Sequence, residues 1–257
     1  MAKWTAFPHA GDYEFDAAGV KKHWARLHTG DQEPLPKEAK VLDAWALFHS
    51  GEFQKAAEAG LKAGGAGITV ANKATCIYAN YLEKKEKFRL ELFTEVASRA
   101  EAQATEDPKN ANAYYWQAYA LGRYSQGISV AKALAQGLGG KVKEALEKTI
   151  KLQPKHADAH IALAAFHAEV IDKVGSLIGG MTYGAKKDIG LKLFQEAIKL
   201  NPGSAIAMIE YANGMVMLEG DKRMKDATKL YEQAAAAKPM DAMERLDVEM
   251  AKAELED

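Results

Sequence analysis

The chain has 257 residues, 48% of them apolar and 27% charged, with 34 Lys and Arg against 35 Asp and Glu. That is the composition of a folded protein able to bury a sizeable core. The charge balance lacks the basic excess of a binder of nucleic-acid phosphates and gives the molecule as a whole no pull toward an anionic membrane. The single cysteine, Cys76, excludes an intrachain disulfide and a cysteine-based zinc site, and beside Ile77 and Tyr78 it reads as a small buried side chain.

The N-terminal MAKWTAFPHAGDYEF lacks the cationic start and apolar run of a signal peptide. No stretch approaches the roughly 20 apolar residues of a spanning helix, so a cytoplasmic location is expected. Residues 1–35 are read as an N-terminal extension with one short helix, around Asp16 to His28. The aromatics of its lead-in, Trp4, Phe7, Tyr13 and Phe15, are expected to dock on the first helical hairpin. That hairpin is AWALFHSGEFQKAAEAGLKAG, with Gly51 at the turn and Ala56 where the helices pack closely. Residues 68–107 read as a degenerate copy.

From there on, the prolines set the phase. Pro108, Pro154, Pro202 and Pro239 stand in similar phrases (TEDPKNANAYYWQAYA, LQPKHADAHIALAAFH, LNPGSAIAMIEYANGM, AKPMDAMERLDVEMAK), each with an alanine three residues on. A proline cannot continue a helix but is tolerated in the first turn of the next. The stretches before three of them, KVKEALEKTIKLQ, LKLFQEAIKLN and MKDATKLYEQAAAAK, carry apolar residues at three- and four-residue steps, as a packing helix requires. Core positions of successive units are read as Tyr114, Gln117, Ala118 and Leu121, then His160, Leu163, Ala164 and His167, then Met208, Tyr211, Ala212 and Met215. Their second helices supply Val142, Leu146 and Thr149, then Gly190, Phe194 and Ala197, then Ala227, Tyr231 and Ala234.

This pattern resembles the tetratricopeptide (TPR) repeat, a helical hairpin of about 34 residues. The resemblance implies an all-α fold, a right-handed α-solenoid of about five TPR-like hairpins over residues 36–238. Residues 239–257 would then form a charged C-terminal capping helix.

Successive prolines lie 46, 48 and 37 residues apart, so two units exceed the ordinary repeat by about a dozen residues. The excess falls between the two helices of a hairpin, near 125–140 (SQGISVAKALAQGLGG) and 173–187 (KVGSLIGGMTYGAKK), and both inserts are apolar and Gly-rich. Either they lengthen helices, or they wall a pocket. Exposed Leu177, Ile178, Met181 and Tyr183 would need a cover, whether from this chain, a second subunit or a ligand. The elongated hairpins and the phrase NANAYYWQAYALGRYSQGIS are also similar to the T-component proteins of tripartite (TRAP) transporters and to the regulator of microtubule dynamics family.

In TPR proteins the first helices line the groove that takes ligands. In this chain that phase points Asn112, Tyr115, Tyr119 and Arg123, then Asp158, Ile161, Ala165 and Glu169, then Ile206, Ile209, Asn213 and Met217 at the groove. Of these, Tyr115, Tyr119, Arg123, Ile161, Ile209, Asn213 and Met217, with Leu177 and Tyr183 of the second insert, are the candidate binding residues. His156, His160 and His167 share one helix face but read as hydrogen-bonded core rather than a metal site. No catalytic motif is present, including a nucleophile elbow, phosphate loop or His-Glu-x-x-His, so no cofactor is expected. The expected function is a non-catalytic scaffold holding a protein or peptide segment in the groove. The alternative is a carrier with a small apolar ligand beneath the inserts, near Leu134, Leu177 and Tyr183. A homo-oligomer joined through the inserts is left open.

Overall fold

A computed structural model describes residues 3–256, all-helical apart from turns and short extended links. It divides into two compact units. The first takes the chain through His28, then Glu33–Leu152 and Asp241–Met243; the second takes Thr29–Gln32, Gln153–Met240 and Glu244 onward.

In the first unit α1 (Ala17–Leu27) precedes three hairpins. These are α2 (Ala39–His49) with α3 (Phe53–Ala63), α4 (Gly67–Tyr81) with α5 (Glu86–Glu106), and α6 (Ala111–Gln126) with α8 (Leu138–Leu152). The six-residue α7 (Val130–Ala135) lies inside the last of them. In the second unit α9 (Ala157–Tyr183) pairs with α10 (Lys187–Leu200), and α11 (Ala205–Glu219) with α12 (Met224–Ala235). Helix α13 (Ala242–Glu256) belongs to the second unit from Glu244 on.

The phased prolines lie in the turns, three residues before the first helical residue, rather than inside the first helical turn. The alanine that follows each is that first residue: Ala111, Ala157, Ala205 and Ala242. Between them sits the cap. Asn110 Oδ1, His156 Nδ1 and Ser204 Oγ accept the backbone N–H of Ala113, Ala159 and Ala207, at 3.1, 3.0 and 3.2 Å. Each cap satisfies one of the donors a helix start leaves open. Gly51 makes the α2–α3 turn with φ 84°, and a Cβ there would lie 2.5 Å from Phe7 Cδ1.

The N-terminal aromatics dock on two hairpins rather than one. Phe7 meets Phe53 edge-on at 6.0 Å, whereas Trp4 stacks on Tyr78 of α4 at 4.2 Å. In α6 the buried residues are Asn112, Ala113, Tyr115, Trp116, Ala118 and Ala120, while Tyr114, Gln117 and Leu121 are only half-buried. The expected core phase shifts because α6 packs on α4 as well as on α5 and α8, so Trp116 becomes its main core residue.

The two inserts take different forms. The first becomes α7, capped by Ser129 Oγ on the Lys132 N–H at 3.3 Å. The second continues α9 across a break at Gly175, whose φ of 81° only glycine adopts without strain.

Candidate partner-binding faces

In the first unit the candidate residues lie on α6. Tyr115 is buried and packs edge-on against Trp116 at 4.9 Å. Tyr119 and Arg123, one and two turns on, are half-buried. The Arg123 guanidinium lies over the Tyr119 ring, 5.4 Å from its centre, as a cation–π pair, and its Nη1 donates to Gln126 Oε1 at 3.2 Å. Tyr119 also contacts Trp116 and Tyr115, at 5.4 and 6.2 Å. The groove-facing Asn112 is buried, donating to Glu33 Oε2 at 2.5 Å.

Behind this face is a polar interior the sequence did not announce. Lys73 of α4 is 3% exposed, with its ammonium 5.6, 5.2 and 6.0 Å from the ring centres of Trp45, Phe48 and Trp116. On the other side of α4, Arg99 Nε donates to Asn72 Oδ1 at 2.6 Å. Asn72 Nδ2 donates to Gln103 Oε1 at 3.1 Å, and Gln103 Nε2 to Thr69 Oγ1 at 2.9 Å. These residues sit in GITVANKATCIYANY, where mixed polar and small side chains show no amphipathic stripe. Cys76, in the same helix, is fully buried, and burial pushes its thiol far above the ordinary range despite the opposing pull of Arg99 and Arg123. Burial keeps this thiol protonated and out of reach, the opposite of the exposed, low-pKa setting a nucleophilic cysteine needs.

In the second unit Ile161 lies in a core with Ala164, Phe194, Ala207 and Leu218. Ile209 lies in another with Ala205, Ala234 and Val248. Asn213 accepts the Tyr231 hydroxyl at 2.7 Å, tying α11 to α12. Met217 is exposed. Leu177 is exposed, and Tyr183 is half-buried against Phe166 at 6.1 Å. The nine candidates thus divide. Tyr115, Ile161 and Ile209 are buried and Asn213 bonds within its hairpin, while Tyr119, Arg123, Met217, Leu177 and Tyr183 keep surface. Of the accessible five, Tyr119 and Arg123 are brought together in the first unit, and Met217, Leu177 and Tyr183 belong to the second.

The three histidines hold backbone groups. His156 caps α9, His160 Nε2 lies 3.0 Å from the Pro154 carbonyl, and His167 Nδ1 accepts the Lys186 N–H at 3.1 Å. Among the described residues no cluster of three or more His, Cys, Asp or Glu could hold a metal. No helix there is long and apolar enough to cross a membrane.

The sequence profile of the family described as "Regulator of microtubule dynamics protein 1-3" matches residues 68–257. The chain belongs to that family. The match begins at α4, so it takes in the degenerate hairpin, both inserts and the C-terminal helix. Among curated proteins no sequence match was found. Among solved structures, a thermophilic TPR protein of Thermus thermophilus superposes with a TM-score of 0.58 at 14% identity, over 83% of this chain and 97% of that one. At that identity the likeness shows the fold, which is all-helical and of the TPR type.

Proposed function

We propose that the chain is a non-catalytic scaffold that holds a protein segment against the α6 face at Tyr119 and Arg123. The observation that carries this is the half-buried Arg123–Tyr119 cation–π pair on α6, whose tyrosine packs on the buried Trp116 and Tyr115. It offers an aromatic surface and a planar cation on a rigid element, the kind of anchor that dominates protein interfaces. The TPR-type fold and the family support the same reading, and the family's description makes the microtubule the partner proposed. The carrier reading draws on the inserts, but Leu134 and Leu177 stand exposed rather than enclosing a ligand.

Co-sedimentation with polymerised tubulin tests the proposal. The wild-type chain is expected to pellet with the polymer. Tyr119→Ala with Arg123→Glu is expected to bind about tenfold more weakly or worse, as loss of an interface anchor should, with its thermal melt retained. Equal pelleting by the variant, or none by the wild type, overturns the proposal.

A further inference from the structure

Helices α6, α9 and α11 start on caps in the same place, but only one of the three can be switched off by a proton. Asn110 and Ser204 accept through an amide and a hydroxyl oxygen, and do so whatever the pH. His156 accepts the Ala159 N–H through a ring nitrogen, Nδ1, at 3.0 Å. About three turns along the same face, His167 repeats the arrangement, its Nδ1 accepting the Lys186 N–H at 3.1 Å. Both rings are buried. A backbone N–H only donates, so each Nδ1 is bare and each neutral ring carries its hydrogen on Nε2. An arriving proton therefore has only Nδ1 to take, and it would set donor against donor.

The two bonds stand at the ends of the element that carries the second insert. His156 opens α9, and His167 holds Lys186, the residue before α10. Between His167 and Lys186 the chain breaks at Gly175 and seats Gly179, buried so closely that a Cβ there would lie 2.9 Å from Val170 Cγ1. The Ala185 N–H then closes on the Gly179 carbonyl at 3.1 Å. Protonated His167 would leave the Lys186 N–H without this acceptor. Protonated His156 would also put a cation at the positive end of the α9 dipole, although the Ala159 N–H leans on the His156 carbonyl as well, at 3.2 Å. Lys186 has more to lose.

Neighbouring charges are mixed. Beside His156 are Lys155, the half-buried Asp158 and, in the link whose Gly30 carbonyl accepts the Asp158 N–H at 3.1 Å, the buried Asp31. Near His167, Glu169 pairs with Lys173, and Glu219 of α11 with Lys187 of α10. Lys186 and Asp188 flank Lys187, and Glu210 lies on α11. The carboxylates draw a proton toward the rings, but the proton still lands on Nδ1. His160, between the two rings, donates through Nε2 to the Pro154 carbonyl at 3.0 Å, a bond that a second ring proton leaves in place.

We propose that the α9–α10 hairpin is an acid-sensitive element: below about pH 6.5 His167, assisted by His156, takes a proton, lets go of the Lys186 N–H and frees the second insert from its seat on α9. The open form binds a proton for which the closed form has no place, so acid favours opening and neutral pH favours closure. The element lies in the second unit, apart from α6, and does not rest on the reading of the α6 face.

The test is amide hydrogen exchange of the full chain by NMR, expressed as protection over the intrinsic rate. Between about pH 7.5 and about 5.5, protection at Lys186 is expected to fall about tenfold, as one histidine titrating near about 6.5 in the open form requires. Protection at Ala159 should fall less, and at Ala113 and Ala207, capped by oxygens, it should hold. His167→Asn puts an amide oxygen near the place of Nδ1 and should flatten the Lys186 profile. Should that variant fail to fold, the wild-type ring-nitrogen resonances decide, because His167 Nδ1 must gain its proton over the range in which Lys186 loses protection. Protection at Lys186 that ignores pH, a fall that persists in His167→Asn, or a protonated His167 Nδ1 beside a still-protected Lys186 overturns the proposal.

Discussion

Where α3 crosses α4, the two backbones meet at Gly60 and Gly67. A Cβ on Gly60 would lie 2.5 Å from the Gly67 carbonyl oxygen and 2.9 Å from the Ala71 nitrogen. Both neighbours are backbone, so neither can swing aside. Alanine normally improves a helix by about 0.5–1 kcal/mol over glycine, but here overpacking at about 1–3 kcal/mol should outweigh that gain. Gly60→Ala is therefore expected to destabilise the protein by about 1–2 kcal/mol net. Gly122, inside α6, has nothing within 4 Å of where a Cβ would stand, so Gly122→Ala is expected to stabilise by about 0.5–1 kcal/mol. Urea unfolding of the two variants should move in opposite directions, and a common sign would refute the crossing geometry. Sequence alone marked Ala56 and Gly51 as close-packing and turn positions but passed over Gly60. A glycine at the second helix of a hairpin looks like any weak helix former until its partner glycine, seven residues on, is known to face it.

The N-terminal segment is held by one small network. Trp4 stacks on Tyr78, the Thr5 N–H donates to the Tyr78 hydroxyl at 3.3 Å, and that hydroxyl donates to Glu83 Oε2 at 2.6 Å. Burial, then the Glu83 carboxylate, pushes the Tyr78 hydroxyl above its usual range. Partial burial works against the Glu83 charge, but hydrogen bonds from Tyr78 and the Lys85 N–H outweigh it and hold the carboxyl below its usual range. A depressed carboxyl stabilises the folded state above its unfolded value, near about 4.3, and that contribution disappears as pH falls through the lower folded value. A raised tyrosine acts at the other end. Its contribution is complete below about 10 and is lost as pH rises through the folded value. Protection of the Thr5 amide, followed by NMR, should therefore be flat through neutral pH and fall in acid below about 4.3. In Tyr78→Phe the Glu83 titration should move up toward the ordinary value, and an unmoved titration would show that Tyr78 does not hold it. Elements were legible in proportion to how local their signals are. Proline, cap and alanine, within a few adjacent positions, fixed where α6, α9 and α11 begin. The inserts' glycines marked irregularity but not its form. Whether a Gly-rich stretch becomes a separate α7 or a broken α9 depends on which neighbour it can seat against, such as Val170 against Gly179.

Across the whole chain, the repeat architecture could be read from the sequence because successive hairpins within each unit pack on one another and repeat their code. The candidate site was less legible. A groove phase carried over from regular repeats assumes that first helices leave one face open, yet Tyr115, Ile161 and Ile209 are buried, and Asn112 is taken by Glu33. Partners separated by many residues leave no periodic trace, and a long-range contact in the first unit shows the point. The buried His49 lies 2.6 Å through Nδ1 from Asp241 Oδ2, across 192 positions of sequence, and 3.4 Å through Nε2 from His28 Nε2. Around them Trp45 stacks with His49 at 5.7 Å and Trp24 with His28 at 4.0 Å. Asp241 occupies the position after its proline that Asn110, His156 and Ser204 use as helix caps, but its carboxylate also anchors this N-terminal cluster, and Ala242 beside it is buried next to Gly51. Removing an acceptor from a buried donor costs about 1–3 kcal/mol, so Asp241→Ala should lower stability by about that much. The effect should appear far from position 241. In hydrogen exchange, the amides of α2 should lose protection, whereas those of α10, which belongs to the other compact unit, should change little. Uniform loss along the chain would mean that Asp241 acts only as a helix cap, and unchanged α2 exchange would mean that the His49–Asp241 bond does not hold the first unit together.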